Sequence, residues 1–221
     1  MIKPQKTHSK PHVIVISGYI GSGKSTIAES LSKKLNDAPI LFFDHYEKYV
    51  EWPPDIKQWI EDGANPEQIR IPKLKDDLHT LLKGSSITDP FNQKTITPSE
   101  YIILEEPSGR ERNEIKEFID LVVYIDVPQD ICVLRLIERV INMDAWKNRG
   151  TFEGESRESL VKQLNAVASW ITHYKRFRSM YIVGSSKVKA KADFIVDGME
   201  SVEGITTSII KMLKGKQRKV K

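Results

Sequence analysis

The run Gly18-Tyr19-Ile20-Gly21-Ser22-Gly23-Lys24-Ser25 constrains this chain more than any other stretch. It stands between an apolar, β-branched run, Val13–Ile16, and the segment Ser25–Leu35, where Ile27, Ala28, Leu31 and Leu35 recur at helical spacing. The fixed positions spell G-x-x-x-x-G-K-[ST]. Glycine adopts backbone angles that other residues resist, so successive N–H groups can converge on an anion. The helix that follows adds partial positive charge at its first turn. Lys24 brings a point charge for phosphate oxygens, and Ser25 a hydroxyl for a hard cation. At average composition, four such positions coincide by accident in on the order of 1% of chains this long. A strand, a phosphate-cradling turn and a helix in this order leave few folds open.

The rest of the chain agrees with one of them. Further β-rich runs lie at Ile40–Phe43, Tyr101–Leu104, Leu121–Ile125 and Phe194–Val196, mostly continuous rather than alternating, as strands buried on both faces require. Helical stretches separate them: Ile131–Ile141, Leu160–Tyr174 with Leu160, Leu164, Val167 and Ile171 on one stripe, and Ile205–Leu213. This alternation predicts a three-layer α/β domain with a five-stranded parallel sheet. The second crossover, 45–100, is far longer than a connection needs. It carries Tyr46, Tyr49, Trp52, Trp59 and a helix-like Leu74–Leu82, and reads as a substrate-binding insertion.

At 221 residues there is one good-sized core rather than two domains. The longest apolar runs fall far short of the roughly 20 residues that span a bilayer. The N-terminal MIKPQKTHSK has no apolar core of a secretory signal, and Cys132 cannot form an internal disulfide, so a cytoplasmic protein with no membrane partner is expected. The net charge of +4 is modest, and part of it sits in KGKQRKVK without interleaved aromatics. That run reads as a solvated tail, and nucleic acid is not an expected partner. The division expected is a flexible tail over 1–10, a domain over 11–214 with a lid-like region at 131–150, and a basic tail over 215–221.

Ligands of open parallel sheets bind beyond the carboxyl ends of the strands. Asp44 follows the second apolar run, and Glu105 and Glu106 follow the third. Beside a polyphosphate, a carboxylate's natural partners are Mg²⁺, water or a substrate hydroxyl. Asp44 is read as the group that orients an attacking hydroxyl and takes its proton. Glu105 is read as Mg²⁺ support, and Asp126 as the cap of the next helix. Arg135 and Arg139, four apart and thus on one helix face, can clamp a transferring phosphoryl group, with Arg149 as a looser candidate. Arg110 and Arg112 read as surface residues. A guanine-reading Asn-Lys-x-Asp is absent, the nearest string being Ala190-Lys191-Ala192-Asp193, which argues against a GTPase.

In this order the strings resemble the uridine kinase family of P-loop phosphotransferases over most of Val13–Gly198. GYIGSGKST is similar to the family's phosphate loop, and Phe43-Asp44-His45-Tyr46 to its Asp-x-Phe-Tyr segment with the catalytic base. Leu78–Gly84 with Thr88-Asp89-Pro90-Phe91, Ile102–Glu105, Arg135-Leu136-x-x-Arg139-Val140 and Ala192–Val196 resemble further family stretches. The resemblance implies the P-loop fold with strand order 2-3-1-4-5, and transfer of the γ-phosphate of Mg·ATP to a small-molecule hydroxyl, a nucleoside leading. It implies nucleotide binding by Gly18 to Thr26, catalysis by Asp44, Lys24, Arg135 and Arg139, acceptor contacts from Asp44, Tyr46 and Glu105, and Mg²⁺ at Ser25 and Glu105. There are departures. NQKTITPSE lacks the family's pyrimidine-reading histidine, Glu106-Pro107 replaces a glycine, and Glu138 and Asn142 stand where arginines are usual. Uridine itself therefore does not carry over. Two alternatives stay open: a kinase of another small alcohol such as a sugar or vitamin, and a non-catalytic nucleotide-binding regulator. The acceptor, the choice between ATP and GTP, and assembly into a homo-oligomer are left undecided by the sequence.

Overall fold

The computed structural model describes residues 10–141 and 156–219, with side chains to residue 215. Strands β1 (His12–Gly18), β2 (Ile40–Phe42), β5 (Tyr101–Glu105), β6 (Leu121–Asp126) and β7 (Phe194–Asp197) form one parallel sheet in the order β2-β5-β1-β6-β7. Counted in chain order among themselves, these are 2-3-1-4-5, the expected topology. Strands β3 (Ile87–Thr88) and β4 (Thr95–Ile96) make a separate antiparallel ribbon. Helices α1 (Lys24–Lys34), α2 (Ile56–Glu61), α3 (Pro72–Leu82), α4 (Gln129–Val140), α5 (Arg157–Ala190) and α6 (Val202–Lys219) complete the described chain. Among the described residues no helix is long and apolar enough to cross a membrane.

Strand periodicity explains the layers. Successive side chains of a strand point to opposite faces, and β1 divides accordingly. Val13 and Val15 enter one apolar cluster with Ile102, Leu104, Val122 and Tyr124. Ile14 and Ile16 enter the other with Ile103, Leu121, Val123 and Ile125. Helix α1 contributes Ile27, Ala28 and Leu31 to the second cluster, while Leu74, Leu78 and Leu81 of α3 cover the first. At about 25 cal/mol per Å² of apolar area, these two layers supply the main drive to fold.

The crossover 45–100 is not an open loop. It runs through a 3₁₀ segment Phe43–Tyr49, α2, α3 and the β3–β4 ribbon. A satellite cluster forms within it, where Trp59 is buried with Ala64 and Ile69, and donates its indole N–H to the Asn65 carbonyl at 3.0 Å. One buried ion pair ties this arm to the sheet. Arg112 is 1% exposed and grips both carboxylate oxygens of Glu106 at 3.0 and 3.1 Å. A third guanidinium bond reaches the Ile69 carbonyl at 2.8 Å. The surface expected for Arg112 is therefore corrected: a partner six residues away, itself fully buried, draws it inside. Arg110 instead pairs with Asp193 at 2.7 Å.

Three further readings change. Helix α5 runs to 34 residues, and the stripe expected to face the core does not, since Leu164 is 68% exposed. Its buried contacts come later, from Tyr174, Tyr181, Ile182 and Val188. Asp126 does not cap α4, whose N-cap is Pro128; its carboxylate binds Lys189 at 2.7 Å. Helix α6 continues through Lys219, into the stretch expected to be a tail. Arg149, most of 1–10 and the lid-like residues 142–150 lie outside the described residues.

Removing one partner of a buried pair strands the other charge. Arg112→Ala should lower the unfolding free energy by about 3–5 kcal/mol in chemical denaturation. A loss within the range of an exposed pair, below about 1 kcal/mol, would show that the arm is held by other means.

Candidate active site

Strand β1 ends at Gly18, paired with Ile125 of β6, and the chain turns through Tyr19–Gly23 into α1. Two glycines are required there by geometry. Gly21 has φ +82°, and a Cβ on it would lie 2.5 Å from the Cys132 carbonyl oxygen of α4. Gly23, the N-cap of α1, has φ +90° in open space, so its constraint is conformational alone. Within the turn the Ser22 amide donates to the Tyr19 carbonyl at 3.0 Å. The first N–H groups of α1, from Lys24, Ser25 and Thr26, have no acceptors within the helix and are available to an anion.

Three observations fit this turn to a polyphosphate. The Ser22 hydroxyl is buried without a hydrogen-bond partner among the described residues. The Lys24 side chain is only 11% exposed, yet its Nζ lies 3.7 Å from Glu105 Oε1 and 3.4 Å from the Tyr19 carbonyl, both longer than a good hydrogen bond. A buried ammonium with loose partners is suited to a stronger one. Ser25 and Thr26 are exposed beside it.

Glu105 closes β5, in register with Ile16 of β1 and Phe42 of β2. Burial pushes its carboxyl above the ordinary range, Lys24 opposes that push, and the negative charges of Asp44 and Glu106 add to it. Asp44 is the second residue of the 3₁₀ segment that follows β2, and it is exposed. Neighbouring strand ends thus bring together the loop, Lys24, Glu105 and Asp44. No group of three or more His, Cys, Asp or Glu able to hold a metal occurs among the described residues. A cation held by Ser25 and Glu105 would complete its shell with phosphate oxygens and water, the usual habit of Mg²⁺.

The remaining candidates separate. Arg135 of α4 is partly buried, with its guanidinium 4.0 Å from Met199 Sδ, and Arg139 is exposed one turn on. Ile20 packs at the margin of the core. Tyr46 is corrected as an acceptor contact. It is 0% exposed, packed among Ile71, Leu74 and Leu78, and its hydroxyl donates to Asp77 at 3.0 Å. The 3₁₀ turn that leaves Asp44 outside carries the residue two positions on into the core.

One contact was not anticipated. The buried Tyr19 hydroxyl meets that of Tyr174 at 2.7 Å, and Tyr174 stacks on Tyr181 and Trp170 with centroids 6.1 and 5.2 Å apart. The available signal was the spacing of Trp170, Tyr174 and Tyr181, four and seven apart on one helix face.

Similarity to known proteins runs along most of the chain. A uridine kinase of Lactobacillus helveticus is 27% identical over 211 residues, covering 87% of this chain and 96% of that protein. A uridine kinase of Clostridium perfringens is 26% identical over 215 residues, covering 88% and 98%. Among solved structures, one described as a possible uridine kinase from Bacillus stearothermophilus superposes with a TM-score of 0.47 at 18% identity, covering 87% and 92%. No family model matches.

Lys24→Ala should weaken Mg·ATP binding by at least about tenfold in a calorimetric titration, and undiminished affinity would contradict the assignment of the loop. Gly21→Ala should lower both thermal stability and nucleotide affinity, because the new methyl meets a backbone oxygen that cannot rotate away.

Proposed function

We propose that this chain, a uridine kinase-like P-loop phosphotransferase of the class with hydroxyl acceptors, moves the γ-phosphate of Mg·ATP to a small polar molecule, with a nucleoside as the leading acceptor. The observation that carries the reading is the pairing of the buried Lys24 and Glu105 behind the phosphate loop, with Asp44 at the next strand end. A bound nucleoside triphosphate would supply the phosphoryl group, and Mg²⁺ would neutralise charge on its oxygens.

The residues divide the work. The loop amides and Lys24 fix the phosphates and stabilise charge on the transferring group. Ser25 and Glu105 would hold the cation. Asp44, exposed at the edge of the cleft, accepts a hydrogen bond from the acceptor hydroxyl, fixes its approach and receives its proton. Phosphoryl transfer has a loose transition state, so this positioning counts for more than basicity. Arg135 and Arg139, one turn apart on α4, would supply cations to the transferring group. The arm 45–100, anchored through Arg112, forms the acceptor side. Similarity to uridine kinases over 87% of the chain supports this reading. A kinase of another small alcohol would use the same residues.

Incubation with Mg·ATP and a panel of nucleosides, sugars and vitamins, followed by ADP release, identifies the acceptor. Asp44→Ala should reduce turnover by about 10²–10⁴ while leaving Mg·ATP affinity nearly unchanged. A wild-type protein that binds nucleotide and phosphorylates nothing in the panel would be a regulator instead.

A further inference from the structure

The pairing of β2 with β5 ends at Phe42, opposite Glu105. Asp44 comes two residues past that last rung, so the strand ladder does not hold it against Glu105. Another group spans the gap. The Arg112 guanidinium donates to both oxygens of Glu106, the neighbour of Glu105, from Nε at 3.1 Å and from Nη2 at 3.0 Å. Its central carbon lies 5.5 Å from the ring centroid of Phe43, the neighbour of Asp44. One planar cation thus touches the residue next to each carboxylate of the site.

That cation is held from other sides as well. Nη1 donates to the Ile69 carbonyl at 2.8 Å and Nη2 to Ser108 Oγ at 3.3 Å, while the Ser108 amide donates to Glu106 Oε1 at 2.8 Å. The segment it belongs to is tied to β1. The Glu106 amide donates to the Ile16 carbonyl at 3.3 Å, and the Ser17 hydroxyl, one residue before the phosphate loop, to the Pro107 carbonyl at 2.9 Å. Fastening the arm needs only a positive charge opposite Glu106 and a bond to Ile69. Arg112 offers more: a fork that fixes the Glu106 carboxylate in its plane, and a flat face laid on the Phe43 ring. These are the two features that separate arginine from lysine.

We infer that Arg112 is a positioning residue for phosphoryl transfer: through Glu106 and Phe43 it fixes where Glu105 and Asp44 stand relative to each other. At 1% exposure it lies behind the cleft and acts only through those neighbours. The inference rests on the kinase reading and deepens it, since a loose transition state depends on the placing of its reactants. Glu106 is one of the places where the chain departs from the pattern it resembles, so the brace belongs to this sequence in particular.

The test measures single-turnover transfer from Mg·ATP, at saturating concentrations of the acceptor that the panel identifies, in Arg112→Lys, Phe43→Leu and the double variant. The first keeps the charge and loses the fork and the face; the second keeps apolar bulk and loses the ring. Each should slow transfer by about tenfold or more, with Mg·ATP affinity in a calorimetric titration within about threefold of the wild type. The double variant should be no slower than the slower single variant, because both remove the same contact. Phe43→Tyr, which keeps a ring, should transfer at nearly the wild-type rate. Wild-type rates in the folded single variants, losses that multiply in the double variant, or an effect confined to the acceptor KM would overturn the inference and leave Arg112 an anchor of the arm in an intact kinase. If Arg112→Lys fails to fold, the rates of Phe43→Leu and Phe43→Tyr decide alone: a slow Leu beside a fast Tyr supports the brace, and equal rates overturn it. A wild type that phosphorylates nothing would instead remove the kinase reading, and this one with it.

Discussion

Strand β1 is buried on both faces and hydrogen-bonded to a parallel neighbour on each side. A parallel pair cannot be joined by a tight turn, so every crossover must return over a face, and the carboxyl ends of all five strands collect along one edge. The first turn leaving that edge is Tyr19–Gly23, and the first helix is α1. The chemistry assembles there because the sheet permits no other place for it. Glu105 and Asp44 arrive at the same edge from β5 and β2, more than 60 residues apart in sequence but on adjacent strands.

Two buried pairs at that edge do different things. Arg112 and Glu106 satisfy one another almost completely, with bidentate geometry and further bonds to Ile69 and Ser108, as an ion pair withdrawn from water requires. Lys24 and Glu105 do not. Their 3.7 Å separation and the upward push on Glu105 describe charges held near each other without mutual saturation. Tandem glutamates thus divide between anchoring and readiness. The first faces the phosphate loop, and the second fastens the arm.

Much of this was legible in the sequence, and the limits have physical causes. The loop and the five strands follow from local patterns, a motif fixed by backbone sterics and continuous apolar runs with helical spacing between them, and the order of the strands from the family resemblance. Asp44 and Glu105 could be put near the strand ends because each directly follows an apolar run, and Glu105 closes β5 while Asp44 comes two residues after β2. The failures concern which side chains the fold encloses. Nothing around Arg112 announces that Glu106 and Ile69 will enclose it. Tyr46 beside Asp44 looks like a site aromatic until the 3₁₀ turn after Phe42 sends it to the core. The stripe from Leu160 to Ile171 has helical period, but period alone does not say whether a partner covers the face. His45 shows the same limit, because its partners Asp89 and Phe91 lie 44 and 46 residues further along the chain.

The approach of Gly21 to the Cys132 carbonyl has a mechanical consequence. With no side chain between them, the spacing between the anion cradle and α4 is set by main-chain atoms rather than by adjustable rotamers. Helix α4 carries the arginines, three and seven residues beyond that carbonyl. The room between the loop and α4 is thus fixed by backbone, and a side chain at position 21 of any size would have to push the two apart.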